Sequence, residues 1–143
     1  MKCIKILMKS FGRSTMEQQS TYEIGQLVQA KVRSGIYIGE VYEIYAPRLV
    51  VKILAVVKHP DQGDLHNPNE PDVAMFHERR ALSYTEKTTV LPRDIQLYTG
   101  AIPEYKESLL IATNQQLNQL YKLNQWTGKS LVILKELLQD YNR

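Results

Sequence analysis

The feature that most constrains the fold is the run LVVKILAVV at residues 49–57, in which every residue except Lys52 is aliphatic. Nearly continuous Val, Ile and Leu of this length indicates a central and well-buried β-strand. We therefore expect a central strand here, with further strands on either side of it.

The segments around this run have the pattern of further short strands. Residues 26–33 alternate between apolar and polar side chains, and residues 36–45 contain Gly39, whose position inside a strand indicates a bulge or bend. Further strands are predicted at residues 72–84, 88–90 and 95–98. Five or six short strands joined by turns predict a mainly β domain over residues 21–100, closed into a small β-barrel.

The last part of the chain, residues 101–143, is rich in Leu, Gln, Asn and Lys, and only Pro103 and Gly128 would break a helix. Leucines at helical spacing predict two short amphipathic helices, separated at Thr127-Gly128. We expect this helical C-terminal tail to pack against the barrel, or to form a homodimer through its helices.

The net charge of +3 is concentrated at the N-terminus. The first fifteen residues hold four basic side chains and no acidic one, whereas the whole chain has 18 Lys and Arg against 15 Asp and Glu. Beyond residue 15 the balance is therefore 14 basic against 15 acidic side chains, a net charge of −1. Such a balance provides no broad basic face, so we do not expect nucleic acid as a partner.

The N-terminus and the cysteine content bear on location. We interpret residues 1–20 as a disordered or extended segment, with Met16 as the effective start. The single cysteine, Cys3, excludes an internal disulfide framework and a thiolate zinc site. No run of 18 apolar residues is present, so we expect no membrane insertion. The predicted location is cytoplasmic, including the inner face of the membrane if a partner holds the protein there.

Residues 58–71, KHPDQGDLHNPNEP, are predicted to form a long loop because they combine three prolines, a glycine and several Asp and Asn residues. All three histidines of the chain, His59, His66 and His77, lie in or just after this loop. One hypothesis is a metal site built from them. The preferred interpretation is that they hydrogen-bond within the loop, because their spacing matches no established metal motif.

Motifs for catalysis are missing from the sequence. It contains no GxSxG nucleophile elbow, no Cys–His arrangement and no phosphate-binding loop of the GxxxxGK[ST] type. We therefore expect a protein that is not an enzyme and needs no cofactor. The nine tyrosines are interpreted mainly as strand residues, with a groove for proline-rich peptides or stacking on single-stranded nucleic acid as alternatives.

Four segments carry a resemblance to a known family: SGIYIGEVYEI at 34–44, VVKILAVVKHPDQGDLHNP at 50–68, DVAMFHERRAL at 72–82 and YTGAIPEYKESL at 98–109. They resemble the kinase-associated protein B family of spore-forming bacilli. The resemblance implies an SH3-like barrel with appended helices. It also implies an accessory role for a sensor histidine kinase that feeds the sporulation phosphorelay.

The leading hypothesis is therefore a non-catalytic binding protein whose partner is a sensor histidine kinase or another component of its pathway. The partner-binding residues are predicted within the loop and the segment that follows it: His59, Asp61, Gln62, Asp64, His66 and His77. Two alternatives from other classes are a small-barrel nucleic-acid-binding module and a metal-dependent hydrolase that uses His59, His66 and His77.

Overall fold

A computed structural model describes residues 22–143, so the segment predicted to be disordered, residues 1–20, lies outside the described residues. Within these residues the secondary structure consists of five strands, a short 3-10 helix and one long α-helix. The strands are β1 (Leu27–Val32), β2 (Gly35–Tyr45), β3 (Arg48–Lys58), β4 (Lys87–Val90) and β5 (Ile95–Leu97). The 3-10 helix is Pro92–Asp94, and the α-helix, α1, is Tyr105–Tyr141.

The five strands form one antiparallel sheet in the order β4-β3-β2-β1-β5. Within residues 22–143, β4 pairs only with β3 and β5 only with β1, so the sheet is not closed into a barrel. The expectation of a closed barrel is therefore wrong. The two edge strands are only four and three residues long, and the 3-10 helix Pro92–Asp94 separates them, which leaves little backbone for a closing ladder.

The aliphatic run at 49–57 lies in β3, which is an interior strand of the sheet between β4 and β2. Leu49, Val51, Ile53 and Ala55 on this strand are all buried. Leu49, Val51 and Ile53, with Val56 of the same strand, form a single apolar core with side chains of the other four strands and one residue of α1: Val28, Ala30, Tyr37, Val41, Val90, Ile95 and Ala112. The prediction of a well-buried strand with a neighbour on either side is confirmed, although β2 is the central strand of the five.

The bulge predicted at Gly39 is present. The pairing of β2 with β3 shifts register between Ile38 and Gly39, and again at two other points along the strand. A β-carbon on Gly39 would lie 2.5 Å from Cγ1 of Val51 and 2.6 Å from the carbonyl oxygen of Lys52. Glycine is therefore required here because the backbone of β3 approaches closely where the strand bends.

The strand predicted at residues 72–84 is absent. Residues 59–86 form neither helix nor strand, apart from isolated turns, and connect β3 to β4. Residues 77–79 hydrogen-bond to the beginning of the connection, with the amide of Gly63 donating to the carbonyl of His77 at 2.9 Å. Thr85 and Glu86, at the end of the connection, pair with Ile53 of β3. The local alternation of apolar and polar residues, from which the strand was predicted, does not show which partners the backbone will hydrogen-bond.

The C-terminal tail is one helix and not two. α1 runs for 37 residues through Thr127-Gly128 without a break. A glycine inside a helix costs only about 1 kcal/mol relative to alanine and keeps its amide donor, whereas proline removes it. The helix begins after Glu104, whose side chain accepts a hydrogen bond from the amide of Glu107 at 3.3 Å. No helix of the described part of the chain is both long and apolar enough to cross a membrane.

Candidate partner-binding site

The connection between β3 and β4, residues 59–86, is here called the β3–β4 loop, and it contains all the predicted site residues. Its beginning is held on the turn between β1 and β2. The ammonium of Lys58 donates to the carbonyl of Ser34 at 2.8 Å and to Oδ1 of Asp61 at 3.1 Å. The amide of Asp61 donates to Oγ of Ser34 at 2.8 Å. Pro60, between these contacts, is buried.

Gln62 connects the first part of the loop to the last. Its Oε1 accepts a hydrogen bond from the amide of Arg79 at 2.7 Å, and its Nε2 donates to the carbonyl of the same residue at 2.9 Å. Nε2 also donates to the carbonyl of Pro60 at 3.1 Å. The side-chain amide of Gln62 thereby pairs with both the amide and the carbonyl of Arg79, as the backbone of a neighbouring strand would. These two backbone groups lie outside the sheet and obtain their hydrogen bonds from Gln62 instead.

Gly63 allows the two halves of the loop to approach each other. It is buried and has φ +92°, a conformation that L side chains rarely adopt. A β-carbon there would lie 2.7 Å from the ring of Phe76. The guanidinium of Arg79 donates to the carbonyl of Gly63 and, at 3.3 Å, to that of Asp61.

Asp64 organises the turn that follows. Its Oδ1 accepts from the amide of His66 at 3.0 Å, and its Oδ2 accepts from Nδ2 of Asn67 at 2.9 Å. These hydrogen bonds, with that from Asn67 the stronger influence, favour the ionised carboxylate and lower the pKa of Asp64. The carboxylate has a local structural role.

The three histidines do not converge. The Nδ1 of His59 lies 2.9 Å from the carbonyl of Pro60, so this ring donates from Nδ1, and it faces the groove beside α1. His66 and His77 are exposed and line a different groove. Among residues 22–143, no three His, Cys, Asp or Glu side chains are grouped as metal ligands would be. The geometry therefore gives the metal-hydrolase hypothesis no support.

His66 and His77 line a groove between the β1–β2 turn and the loop, here called the cationic groove. Four basic and two acidic side chains also line it: Lys31, Arg33, Lys58, Arg79, Asp61 and Asp64. Within residues 22–143, Lys31 and Arg33 belong to no ion pair. Arg79 donates to carbonyl oxygens rather than to a carboxylate. The groove therefore has an excess of positive charge, although the body of the chain is nearly neutral.

The loop is also attached to α1. Nε2 of Gln116 donates to Oδ1 of Asp61 at 2.7 Å, so this carboxylate receives hydrogen bonds from both the helix and Lys58. The predicted residues thus separate into two groups. The side chains of His59, Asp61, Gln62 and Asp64 hold the loop together, whereas those of His66 and His77 face solvent. The interpretation of the histidines as loop hydrogen-bonding residues therefore applies to His59 and not to His66 or His77.

Sequence reasoning missed Lys31, Arg33 and Arg79 as members of this site. Lys31 and Arg33 belong to the β1–β2 hairpin, and the groove forms only because Lys58 and Asp61 hold the loop against Ser34 of that hairpin. No motif or periodicity in the sequence predicts such a contact between segments about thirty residues apart.

Comparison with known proteins agrees with the resemblance of the four segments. A family model described as "Kinase associated protein B" matches residues 32–142. The chain belongs to the kinase-associated protein B family. The matched range includes the whole β3–β4 loop and all of α1.

Two members of the family are similar over most of their length. "Kinase-associated lipoprotein B" of Bacillus subtilis (strain 168) is 41% identical over 123 residues, which are 85% of this chain and 96% of the relative. The crystal structure of kinase-associated protein B from Bacillus cereus is similar with a TM-score of 0.62 and 38% identity. This similarity covers 85% of this chain and 99% of the other. The names of both proteins associate them with a kinase.

Proposed function

We propose that this protein is an accessory binding protein of a sensor histidine kinase pathway that feeds the sporulation phosphorelay, without catalysis of its own. The observation that carries the proposal is membership of the kinase-associated protein B family over residues 32–142. The protein would act by binding one conformation or assembly of the kinase more tightly than another, which shifts the population of the two.

We place the kinase-binding surface at the cationic groove and the exposed face of the β3–β4 loop. The loop is held by the β1–β2 turn, by its own hydrogen bonds and by α1, so its shape is largely formed before a partner arrives. A preformed surface loses less conformational entropy on binding than a flexible one. This supports the loop as a recognition surface in spite of its lack of regular secondary structure.

The excess of Lys and Arg in the groove favours an acidic segment of the partner. Lys31 and Arg33 would contact carboxylates at the rim, where complementary charge mainly raises the association rate and the specificity. His66 and His77 would make the closer contacts, since their exposed rings have both polar edges and apolar faces. Asp61, Gln62 and Asp64 would support the surface from within the loop.

Three further parts of the proposal concern the molecule as a whole. We propose that the open five-stranded sheet is a variant of the SH3-like barrel, and that residues 21–100 and 101–143 are its sheet unit and helical tail. Residues 1–20 would be an extension.

The proposed location is cytoplasmic, at the inner face of the membrane when bound to the kinase. A homodimer through α1 is compatible with kinase binding, because the groove lies at the sheet end of the helix.

The test is crosslinking with mass spectrometry in the native cell, comparing the unmodified protein with the triple variant Lys31→Ala/His66→Ala/His77→Ala. These three side chains line the groove and make no hydrogen bond or ion pair within residues 22–143, so their removal should leave the loop intact. We expect crosslinks to a sensor histidine kinase that the triple variant loses.

The matched control is Lys106→Ala/Lys122→Ala, which removes positive charge from exposed positions of α1. It should keep the kinase crosslinks, and this distinguishes the groove from a general effect of charge. Equal kinase crosslinking by the triple variant would exclude the groove as the binding surface. Absence of any kinase among the partners of the unmodified protein would contradict the proposed function itself.

A further inference from the structure

The second half of α1 has an apolar face that the rest of the described chain does not cover. Only Ser108 and Ala112 of the helix are buried, and both lie in its first two turns, against β3. Beyond them nearly all large apolar residues are exposed, from 43% at Leu117 to 76% at Tyr141, and Leu137 is half-buried. Apolar surface of this extent on one helix indicates a partner.

Six of the exposed apolar residues of α1 follow a heptad pattern. From residue 117 to residue 141 the steps alternate between three and four residues, which keeps eight positions on one stripe of the helix. Six of these positions are apolar: Leu117, Leu120, Leu131, Leu134, Leu138 and Tyr141. Asn124 and Thr127 occupy the other two. We call these eight positions the seam. A stripe of this kind is the surface of a two-stranded coiled coil.

We infer that a second copy of this chain covers the seam, with the two α1 helices antiparallel. They are related by a two-fold axis that is perpendicular to the helices and passes between them at the level of Lys129, the midpoint of the seam. This arrangement goes beyond the proposed kinase association and does not depend on it. Around this axis Leu117 of one copy faces Tyr141 of the other, and Leu120 faces Leu138. Each seam position therefore meets a seam position of the other copy, as an isologous interface requires.

The residues beside the seam fit the same arrangement. In an antiparallel pair centred on Lys129, Leu123 of one copy lies beside Leu137 of the other and widens the apolar contact. On the opposite flank, the ammonium of Lys135 lies beside the ring of Tyr121, a pairing that cation–π attraction favours. Neither flank places two charges of the same sign next to each other.

The area available is sufficient for a stable dimer. The six apolar seam residues together with Leu123 and Leu137 make eight large apolar side chains per copy. Burying such a side chain removes about 60–120 Å² of apolar surface from water. For both copies together this gives roughly 1,000–1,900 Å², which reaches the range of about 1,200–2,000 Å² of specific protein interfaces.

The sheet determines the orientation. It packs on the first two turns of α1, through Ser108 and Ala112. In a parallel pair both sheets would lie at the same end of the coiled coil and compete for the same space. In an antiparallel pair they lie at opposite ends, and the helix macrodipoles oppose each other favourably.

The first test is sedimentation equilibrium of the full chain and of two variants, Leu134→Glu and Val132→Glu. The two side chains are exposed to 62% and 58% and are two residues apart, but only Leu134 lies in the seam. We expect a dimer for the unmodified chain and for Val132→Glu, and a monomer for Leu134→Glu. Circular dichroism should show the same helix content in all three at the concentration used.

A monomer for the unmodified chain, or a dimer that persists in Leu134→Glu, would overturn the inference. Loss of the dimer in both variants would also overturn it, because the seam would then not be the interface. This experiment does not measure kinase crosslinking. Its result therefore neither supports nor contradicts the proposed association with a kinase.

The second test addresses the orientation by disulfide crosslinking in a Cys3→Ser background. Leu120→Cys and Leu138→Cys proteins are oxidised separately and as a mixture. Antiparallel helices centred on Lys129 bring residue 120 of one copy to residue 138 of the other, so only the mixture should form a covalent dimer efficiently. Efficient crosslinking of either variant with itself would indicate parallel helices and contradict the arrangement.

Discussion

The side-chain hydroxyl of Ser108 on α1 accepts a hydrogen bond from the backbone amide of Val56 in β3, at 3.0 Å. The same hydroxyl donates to the carbonyl of Tyr105 at 2.7 Å. Ser108 is 5% exposed and is the one buried polar residue of the described chain. This contact attaches a helix of 37 residues to the sheet through its first turns, while the rest of the helix extends away.

Replacement of Ser108 by alanine should therefore weaken the docking of α1. The Val56 amide would be left buried without its acceptor, so we expect the free energy of unfolding to fall by about 1–3 kcal/mol. Urea denaturation at a fixed protein concentration measures this change. Asn114→Ala, at an exposed position of the same helix, is the control and should change stability by less than about 0.5 kcal/mol. Equal effects of the two substitutions would show that the Ser108–Val56 contact has no special role.

Two glycines should respond to alanine in opposite directions. Gly39→Ala inserts a methyl group against Val51 and the Lys52 carbonyl at the β2 bulge, and we expect a loss of about 1–3 kcal/mol. Gly128 lies in α1 with nothing within 4 Å of the position of its β-carbon. Gly128→Ala should stabilise the helix by about 0.5–1 kcal/mol. Thermal unfolding of both variants tests the pair, and destabilisation by Gly128→Ala would show that α1 is not continuous there.

Gln62→Ala should loosen the β3–β4 loop without unfolding the sheet. The substitution removes the hydrogen bonds of the side chain to Arg79 and Pro60. We expect faster amide hydrogen exchange across residues 61–80, with exchange in β2 and β3 unchanged. His66→Ala is the control, because the His66 side chain makes no hydrogen bond within residues 22–143. Protection of residues 61–80 that is equal in both variants would contradict the bridging role of Gln62.

Tyr37 should contribute to the stability of the protein at alkaline pH. Its ring is buried, and burial raises the pKa of its hydroxyl, which accepts a hydrogen bond from the Leu82 amide at 3.3 Å. A folded-state pKa above the unfolded value of about 10 means that this contribution is complete below pH 10. It is lost as the pH rises from there through the folded-state pKa.

Tyr37→Phe should therefore reduce the slope of unfolding free energy against pH above about 10. At neutral pH the variant should lose about 1 kcal/mol, because the Leu82 amide loses its acceptor. Denaturant unfolding at a series of pH values measures both effects. Burial also raises the pKa of Tyr22 and Tyr105, so part of the alkaline slope should remain. A slope identical to that of the unmodified protein would contradict the role of Tyr37.

Elements with a strong local pattern could be predicted from the sequence. The aliphatic run at 49–57 identified the buried strand β3, and Gly39 identified the bulge in β2. The helical spacing of leucines identified the helical tail, although Thr127-Gly128 was wrongly interpreted as a break. The sequence of the HPDQGDLH segment at 59–66 led to the family. In each case the signal lies in neighbouring residues, because backbone geometry and side-chain periodicity are local properties of the chain.

The conformation of the β3–β4 loop was decided by the tertiary structure. Gln62 pairs with Arg79 seventeen residues later. The backbone amide of Asp61 donates a hydrogen bond to Ser34, and its carboxylate accepts one from Gln116; both partners are distant in the chain. Such bonds form because buried or crowded polar groups need partners, and any of several residues would serve chemically. Local periodicity cannot choose among them, so it predicted a strand at 72–84 where none forms.

The sequence by itself determined the family, the β and helical regions, the near-neutral body and the presence of a polar loop rich in His and Asp. Only the tertiary structure decided that the sheet stays open, that Lys31 and Arg33 join His66 and His77 in one groove, and that the seam of α1 lies beyond the sheet. The physical reason is that composition and periodicity are properties of neighbouring residues. The groove and the uncovered helix face result from contacts between segments that the chain separates widely.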